Sequence, residues 1–366
     1  MPTVTFNNQN KVFYNFITTR VENYFKEHRI QKTGDRSLYL KSAILITTAL
    51  VVYVALLSGL LHPAVAVLLS VVMGLTLAAI GFNVMHDANH GSFSQKKWVN
   101  ELMALTANMM GVNSWLWKQK HNVIHHTYTN VEGVDDDIAT TRLLRMCPYQ
   151  KKYKIHRFQN YYCIPVYGLT SLMWTFIADF RKYFTRKIQD IRLRKMDRRE
   201  HLIFWLSKIF YVFFYMALPI YLLGFTPFLI GFTIMHITLG ITLAVVFQLA
   251  HVVEATHFVD GQSESLEIEK EWAVHQVQTT ANFATGNKFI SWYTGGLNFQ
   301  VEHHLFPKVS HLHYPAIHEF VKDACRKFSV RLNHNPTMTA ALCSHIRLLK
   351  QLGKPENGSF SAGIPL

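Results

Sequence analysis

The sequence predicts an all-α integral membrane protein: four transmembrane helices in two hairpins, with a cytoplasmic helical cap. Three observations carry that expectation. Apolar residues make up 49% of the 366-residue chain and are gathered into long runs. Lysine and arginine avoid the short links between those runs. Histidines, 20 in all, form three groups that this topology puts at one membrane face.

Ser42–Leu61 and Val65–Met85 hold about twenty uncharged residues each, enough at about 1.5 Å per residue to cover a roughly 30 Å hydrocarbon core. LHPA separates them. In Leu202–Leu223 and Phe228–Ala250 the one charge is Lys208, and GFTP is the link. Links this short allow only a tight return, because in hydrocarbon every backbone group must bond within a helix.

Of the 37 lysines and arginines, seven precede the first span, nineteen lie between Gly91 and Glu200, and ten follow the fourth span. Neither link has any. The positive-inside rule then puts 1–41, 86–201 and 251–366 in the cytoplasm. Residues 1–366 read as a single membrane domain with spans of about 42–61, 65–85, 202–223 and 228–250. The net charge of +14 reflects this bias and attraction to anionic headgroups. No nucleic-acid-binding module occurs, so no nucleic-acid partner is expected.

Leu102–Trp117 is apolar but short and broken by Asn108, Gly111, Asn113 and Ser114. It is expected to be an interfacial or re-entrant helix. Arg181–Arg199 is expected to be a basic amphipathic helix on the headgroups, and the tail after Gly353 to be loose. The N-terminus has no basic stretch followed by an apolar run, so the spans themselves are expected to do the targeting. The four cysteines keep no metal-like or paired spacing, which excludes a thiolate site and a disulfide framework.

The histidines carry the chemistry. His86 and His90 stand in HDANH, where i and i+4 put both rings on one helix face, a spacing that lets two imidazoles share a metal. In HNVIHH, His121 and His125 repeat that spacing, and His126, about 100° around the helix, points toward a second ion. In QVEHH, Gln300, His303 and His304 follow at i, i+3 and i+4. An eighth imidazole is offered by His251 at the end of the fourth span, with His257 as its rival. His236, about 22 Å further along the same helix, is expected to pack or to make a helix–helix hydrogen bond. His275, His311, His313 and His318 keep no comparable spacing and are given surface or supporting roles.

Imidazole suits zinc, copper, nickel and iron, whereas calcium and magnesium need oxygen ligands. A zinc hydrolase needs only three or four ligands, so eight imply two metals or a redox centre. Two irons activating dioxygen is the reading preferred on residue type alone. Asp87, Glu302 and Asp135–Asp137 are candidates to fix imidazole tautomers, or are ordinary solvated acids.

HDANH, WKQKHNVIHHTYTN, FQLAHV, EWAVHQVQTTANFAT, GGLNFQVEHHLFP and HLHYP together resemble the membrane fatty acyl desaturases. Their three histidine boxes are HxxxH, HxxHH or HxxxHH, and HxxHH or QxxHH. The similarity is greatest to cyanobacterial-type acyl-lipid 6-desaturases and their front-end relatives, and it covers residues 35 to 350. It implies that His86, His90, His121, His125, His126, His251, His303 and His304 ligate two irons with O2 as co-substrate. No further catalytic group is implied. Gln300 stands where many relatives place a histidine; a neutral amide binds metal poorly, holds a metal-bound water, or orients His304. That substitution accompanies front-end chemistry, a cis double bond inserted on the carboxyl side of an existing one, here at position 6.

The resemblance implies a fatty acyl substrate, carried by coenzyme A, acyl carrier protein or a glycerolipid, that enters among the helices, where Trp115, Trp117 and Phe283 are candidate lining residues. No HPGG, the mark of a fused cytochrome b5, occurs in the sequence. The resemblance therefore implies a separate ferredoxin or cytochrome b5 as electron donor, for which Lys118, Lys120 and Lys151–Lys154 are candidate docking residues. Two other readings remain: a diiron lipid or hydrocarbon hydroxylase, and a zinc-dependent membrane hydrolase. Metal transport is disfavoured because the histidines gather at one face and do not line a path across the membrane.

Overall fold

The computed structural model describes residues 3–9, 11–138, 142–261 and 265–354; most of the tail beyond Gly353 lies outside them. Four helices are long and apolar enough to cross a membrane: α2 (Arg36–Leu57), α3 (Pro63–His90), α8 (Arg198–Leu223) and α9 (Phe225–His251). Each outruns its apolar stretch at one end or both, and polar N-caps start three of them. Asp35 Oδ1 accepts the N–H of Ser37 at 2.8 Å and starts α2 before Ser42. Asp197 accepts the N–H of Glu200 at 2.8 Å and starts α8 before Leu202. Between α8 and α9 only Gly224 breaks the helix, at φ +82°, so most of GFTP is helical.

α2 and α9 pack on either side of α3. The seam is closed by Leu45, Val52, Met73, Leu77, Leu239 and Val246, all buried. Gly74 permits this approach, since a Cβ there would come within 2.6 Å of the Met235 carbonyl oxygen. Residues such as Leu50, Val54, Leu68, Leu206 and Ile209 on the outer faces are exposed, the pattern of helices that meet lipid.

The connecting segments depart from expectation in two places. Arg181–Arg199 is not one helix. α7 (Thr170–Thr185) stops at Arg186, which has φ +54°, and a two-strand ribbon, Lys187–Ile188 against Ile191–Arg192, intervenes before α8. Charge periodicity suggested a helix, but turn geometry overrides it at Arg186 and Gln189, both with positive φ. α6 (Lys154–Gly168), in a segment expected to be cytoplasmic, meets α7 at a 58° bend, and the two together are long and apolar enough for a broken span or a re-entrant loop. Leu102–Trp117 also divides, into α4 (Lys97–Met109) and α5 (Ser114–Lys118), at a turn where Gly111 has φ +87°.

The N-terminal α1 (Val12–Glu27) buries Phe13, Ile17, Val21 and Phe25, an i, i+4 stripe that packs on α12 (Tyr314–Lys327) through Ile317, Val321 and Ala324. Strand β1 (Thr3–Phe6) pairs in parallel with β2 (Ser265–Ile268). These contacts fasten the chain start to the segment holding the third histidine group.

Candidate metal centre

The three histidine groups and His251 converge. His86 and His90 end α3 beyond a π-helical stretch, Gly81–Met85. α5 widens into a π-helix over Gln119–His125, so His126 N–H bonds the His121 carbonyl, an i+5 closure, at 3.1 Å. This wide turn also brings Nε2 of His121 and His126 within 3.2 Å. His303 and His304 stand on the short α11 (Gln300–Leu305), and His251 ends α9. All eight rings are buried.

They sort into adjoining pockets. His86, His90, His121 and His303 offer nitrogens within 4.8 Å of one another; so do His125, His251 and His304, and His126 with His303 and His304. His303 and His304 therefore stand between the pockets, with ring centroids 4.6 and 4.4 Å from that of His126. Seven buried ring nitrogens here have no hydrogen-bond partner: Nε2 of His86, His90, His125, His303 and His304, and Nδ1 of His126 and His251. Each such group costs about 1–3 kcal/mol unless something fills the space it faces. Imidazole nitrogens aimed at one another without donors between them fit metal cations. His257 is half-buried and outside the cluster, with its backbone bonded to Gln278.

Burial, and then neighbouring imidazoles, hold His126, His303 and His304 well below the ordinary histidine range, so they are neutral and able to donate a lone pair. His125 differs. Burial pulls it down, but Asp135 and Asp137 more than offset that and raise it.

The orienting partners were only partly foreseen. Asp135 accepts from His125 Nδ1–H at 3.0 Å, which turns Nε2 toward the cluster. Asp137 stands 3.3 Å from the same nitrogen and 4.0 Å from His121 Nδ1. Asp87 accepts from His311 Nδ1–H at 2.9 Å and lies 3.9 Å from His86 Nδ1. Glu302 faces away from the metal-facing rings and accepts from His318 and Asn282. Asp136 pairs with Lys182 at 2.6 Å. His304 Nδ1–H donates to Gln276 Oε1 at 2.8 Å and His303 Nδ1–H to the Tyr314 hydroxyl at 3.0 Å. Neither partner is marked by spacing in the sequence, since each lies on an element other than that of the ring it orients.

Gln300 contacts His251 and not His304: its amide nitrogen lies 2.9 Å from His251 Nε2. A metal at the free Nδ1 requires the ring proton on Nε2, and then the amide presents its oxygen there, the same side chain turned over. His236 is bonded by the Ser171 hydroxyl at 2.9 Å and the Tyr211 hydroxyl at 2.6 Å, as expected of a helix–helix tie. His236→Ala should retain most product and full metal content while lowering thermal stability, because the buried Tyr211 hydroxyl loses its partner, whereas Ser171 keeps the residue 236 carbonyl. Comparing metal per chain and melting temperature in detergent checks this.

A cavity of about 300 Å³ lies against the cluster, walled by Trp117, Trp174, Leu243 and Phe247 with His121 and His251 at its edge. Those four apolar residues also wall a small second chamber beside His86. At the other end Asp136, Leu144, Met173, Ala178 and Lys182 are shared with a polar vestibule of about 540 Å³. Of the three side chains expected to line a tunnel, Trp117 does so, stacked on His121 at 4.3 Å. Trp115 and Phe283 belong to other apolar clusters. Lys120 offers little docking surface: 13% exposed, it pairs with Asp137 and lies over the Trp174 ring.

The fatty acid desaturase family model matches residues 61–336. An sn-1 linoleoyl-lipid 6-desaturase of Synechocystis is 38% identical over 357 residues, covering 94% of this chain and 97% of that one. An enzyme of the same description from Arthrospira platensis is 36% identical, covering 92% and 91%. An acyl-lipid (8-3)-desaturase of Physcomitrium patens is 34% identical, covering 95% and 73%.

Proposed function

The chain belongs to the fatty acid desaturase family, and on that premise we propose that it inserts a cis double bond at position 6 of a lipid-borne linoleoyl-type chain, on the carboxyl side of an existing bond. The observation that carries the reading is the pair of imidazole pockets set against one apolar cavity. The names of the Synechocystis and Arthrospira relatives support the position and the lipid carrier. In this proposal His86, His90, His121 and His303 hold one iron, His125, His251 and His304 the other, and His126 stands between them.

When bound, the two irons supply the chemistry that reduces O2 with two electrons and two protons, removing one hydrogen from each of two adjacent methylenes to leave an alkene and two waters. The electrons are proposed to come from a ferredoxin or cytochrome b5. The chain's own residues bind and exclude. Trp117, Trp174, Leu243 and Phe247 give the acyl chain an apolar wall, keep water from the reacting methylenes and fix their distance from the imidazoles. Asp135, Gln276 and Tyr314 each hold a ring proton on Nδ1 so that Nε2 faces inward. Gln300 does the equivalent for His251 from the Nε2 side.

The charge distribution supports two membrane hairpins forming one domain, with the termini and the metal centre on the cytoplasmic side, where a soluble donor has access. Expression in a host fed linoleate, with mass-spectrometric location of new double bonds, is the test. A new bond at carbon 6 and close to two irons per purified chain are expected. An alcohol without an alkene would make it a hydroxylase, and one zinc per chain without iron a hydrolase.

A further inference from the structure

Lys208 lies about three turns into α8, and it is buried. An ionisable group inside a membrane helix marks function by default. Its ammonium donates to Asp179 Oδ2 at 2.9 Å, to the Thr175 carbonyl at 3.0 Å and to the Gly111 carbonyl at 2.6 Å. The same Asp179 oxygen accepts the Asn113 N–H at 2.7 Å. Two segments are thereby clasped on one charge. One is the Gly111–Asn113 turn; the Asn113 side chain caps α5 by accepting the Leu116 N–H at 2.9 Å, and that helix leads to Trp117 and His121. The other is α7. Its Thr175 and Asp179 face the ammonium, while Trp174, Ala178 and Lys182 face the cavity.

There is no slack between them. A Cβ on Gly111 would stand 2.6 Å from Thr175 Cγ2 and 2.9 Å from a Tyr211 ring carbon. We infer that the Lys208–Asp179 pair is a regioselectivity pin: it sets the distance between the cavity wall on α7 and the imidazoles following α5, and so which methylene pair meets the metals. Stability alone is a weak reason for a buried ion pair, because matched apolar side chains often serve as well. Geometry is a stronger one, since a displacement of about 1 Å between reacting groups has large kinetic consequences. This inference rests on the desaturase reading above.

The test is the product spectrum, in a linoleate-fed host, of Lys208→Met/Asp179→Leu and of Lys208→Arg, which keeps the charge but replaces a point donor by a planar fork. Both variants should hold wild-type iron per chain, while the double variant should melt lower than wild type in detergent, because the Asn113 N–H and the Gly111 carbonyl lose their buried partners. Both should convert one double-bond position into a mixture, with neighbouring positions at a tenth or more of the total. A folded, iron-replete variant making only the wild-type isomer overturns the pin. Failure of both variants to fold assigns the pair to stability and overturns it equally. A wild type that forms no double bond is a separate failure, of the desaturase reading beneath it.

Discussion

His303→Ala is expected to abolish product and to leave fewer than two irons per chain. Its ring serves two of the imidazole groups, with His86, His90 and His121 on one side and His126 and His304 on the other. Truncation therefore removes a donor at the junction of both pockets and leaves the Tyr314 hydroxyl without the Nδ1–H now 3.0 Å away. The residue is wholly buried, so the space vacated is a hole lined by imidazole edges. No nearby side chain can replace the ligand: Glu302 is turned toward His318. Lipid analysis of expressing cells alongside elemental analysis of purified protein checks this, and His236→Ala controls for loss of a buried membrane-proximal imidazole. An active, iron-replete His303→Ala variant would refute the ligand assignment.

Asp135→Ala should cost on the order of 10- to 100-fold in iron affinity or turnover, the usual effect of losing a residue that orients a metal-binding histidine. Asp135 is inaccessible to solvent and does more than hold His125. Its oxygens also accept the N–H of Asn130 at 2.9 Å and of Asp137 at 3.0 Å. Asn130 in turn reaches the His251 carbonyl at 2.9 Å, so one carboxylate braces rings from two different segments. Asp135→Asn should fall between, because one amide oxygen can still receive His125 while its NH2 group opposes the Asn130 N–H. Chelator titration of purified protein separates the outcomes. Equal iron retention by wild type and Asp135→Ala would show that the rings are held by packing alone.

Much of this was legible in sequence because the signals are local. Long uncharged runs such as Val65–Met85 need no partner to declare a span, and the i, i+4 pair His86 and His90 does share a pocket, whereas His121 and His125 at the same spacing serve different imidazole pockets. His251 could be preferred over His257 by helix arithmetic. What escaped depends on distant contacts or on departures from regular geometry. The α6–α7 bend interrupts an apolar stretch that carries Asp179 and Lys182, both buried through ion pairs with Lys208 and Asp136, so its hydropathy understates its burial. Gln300 was matched to His304 by spacing on its own helix, whereas its partner comes from α9, 49 residues away. Tyr314 and Gln276 orient rings on an element other than their own, and no periodicity records that.

The π-helical turn over Gln119–His125 has a bearing on which rings can meet. In an ordinary helix the residues that share a face are i, i+3 and i+4, the spacing HxxHH; in the wider turn they are i, i+4 and i+5, the spacing HxxxHH seen at His121, His125 and His126. The bulge sets His126 Nε2 3.2 Å from His121 Nε2, a closeness that the tighter turn of a regular α-helix does not give residues five apart. A change that restored a regular helix here would draw His126 away from His121 and from the pocket it shares with His303 and His304.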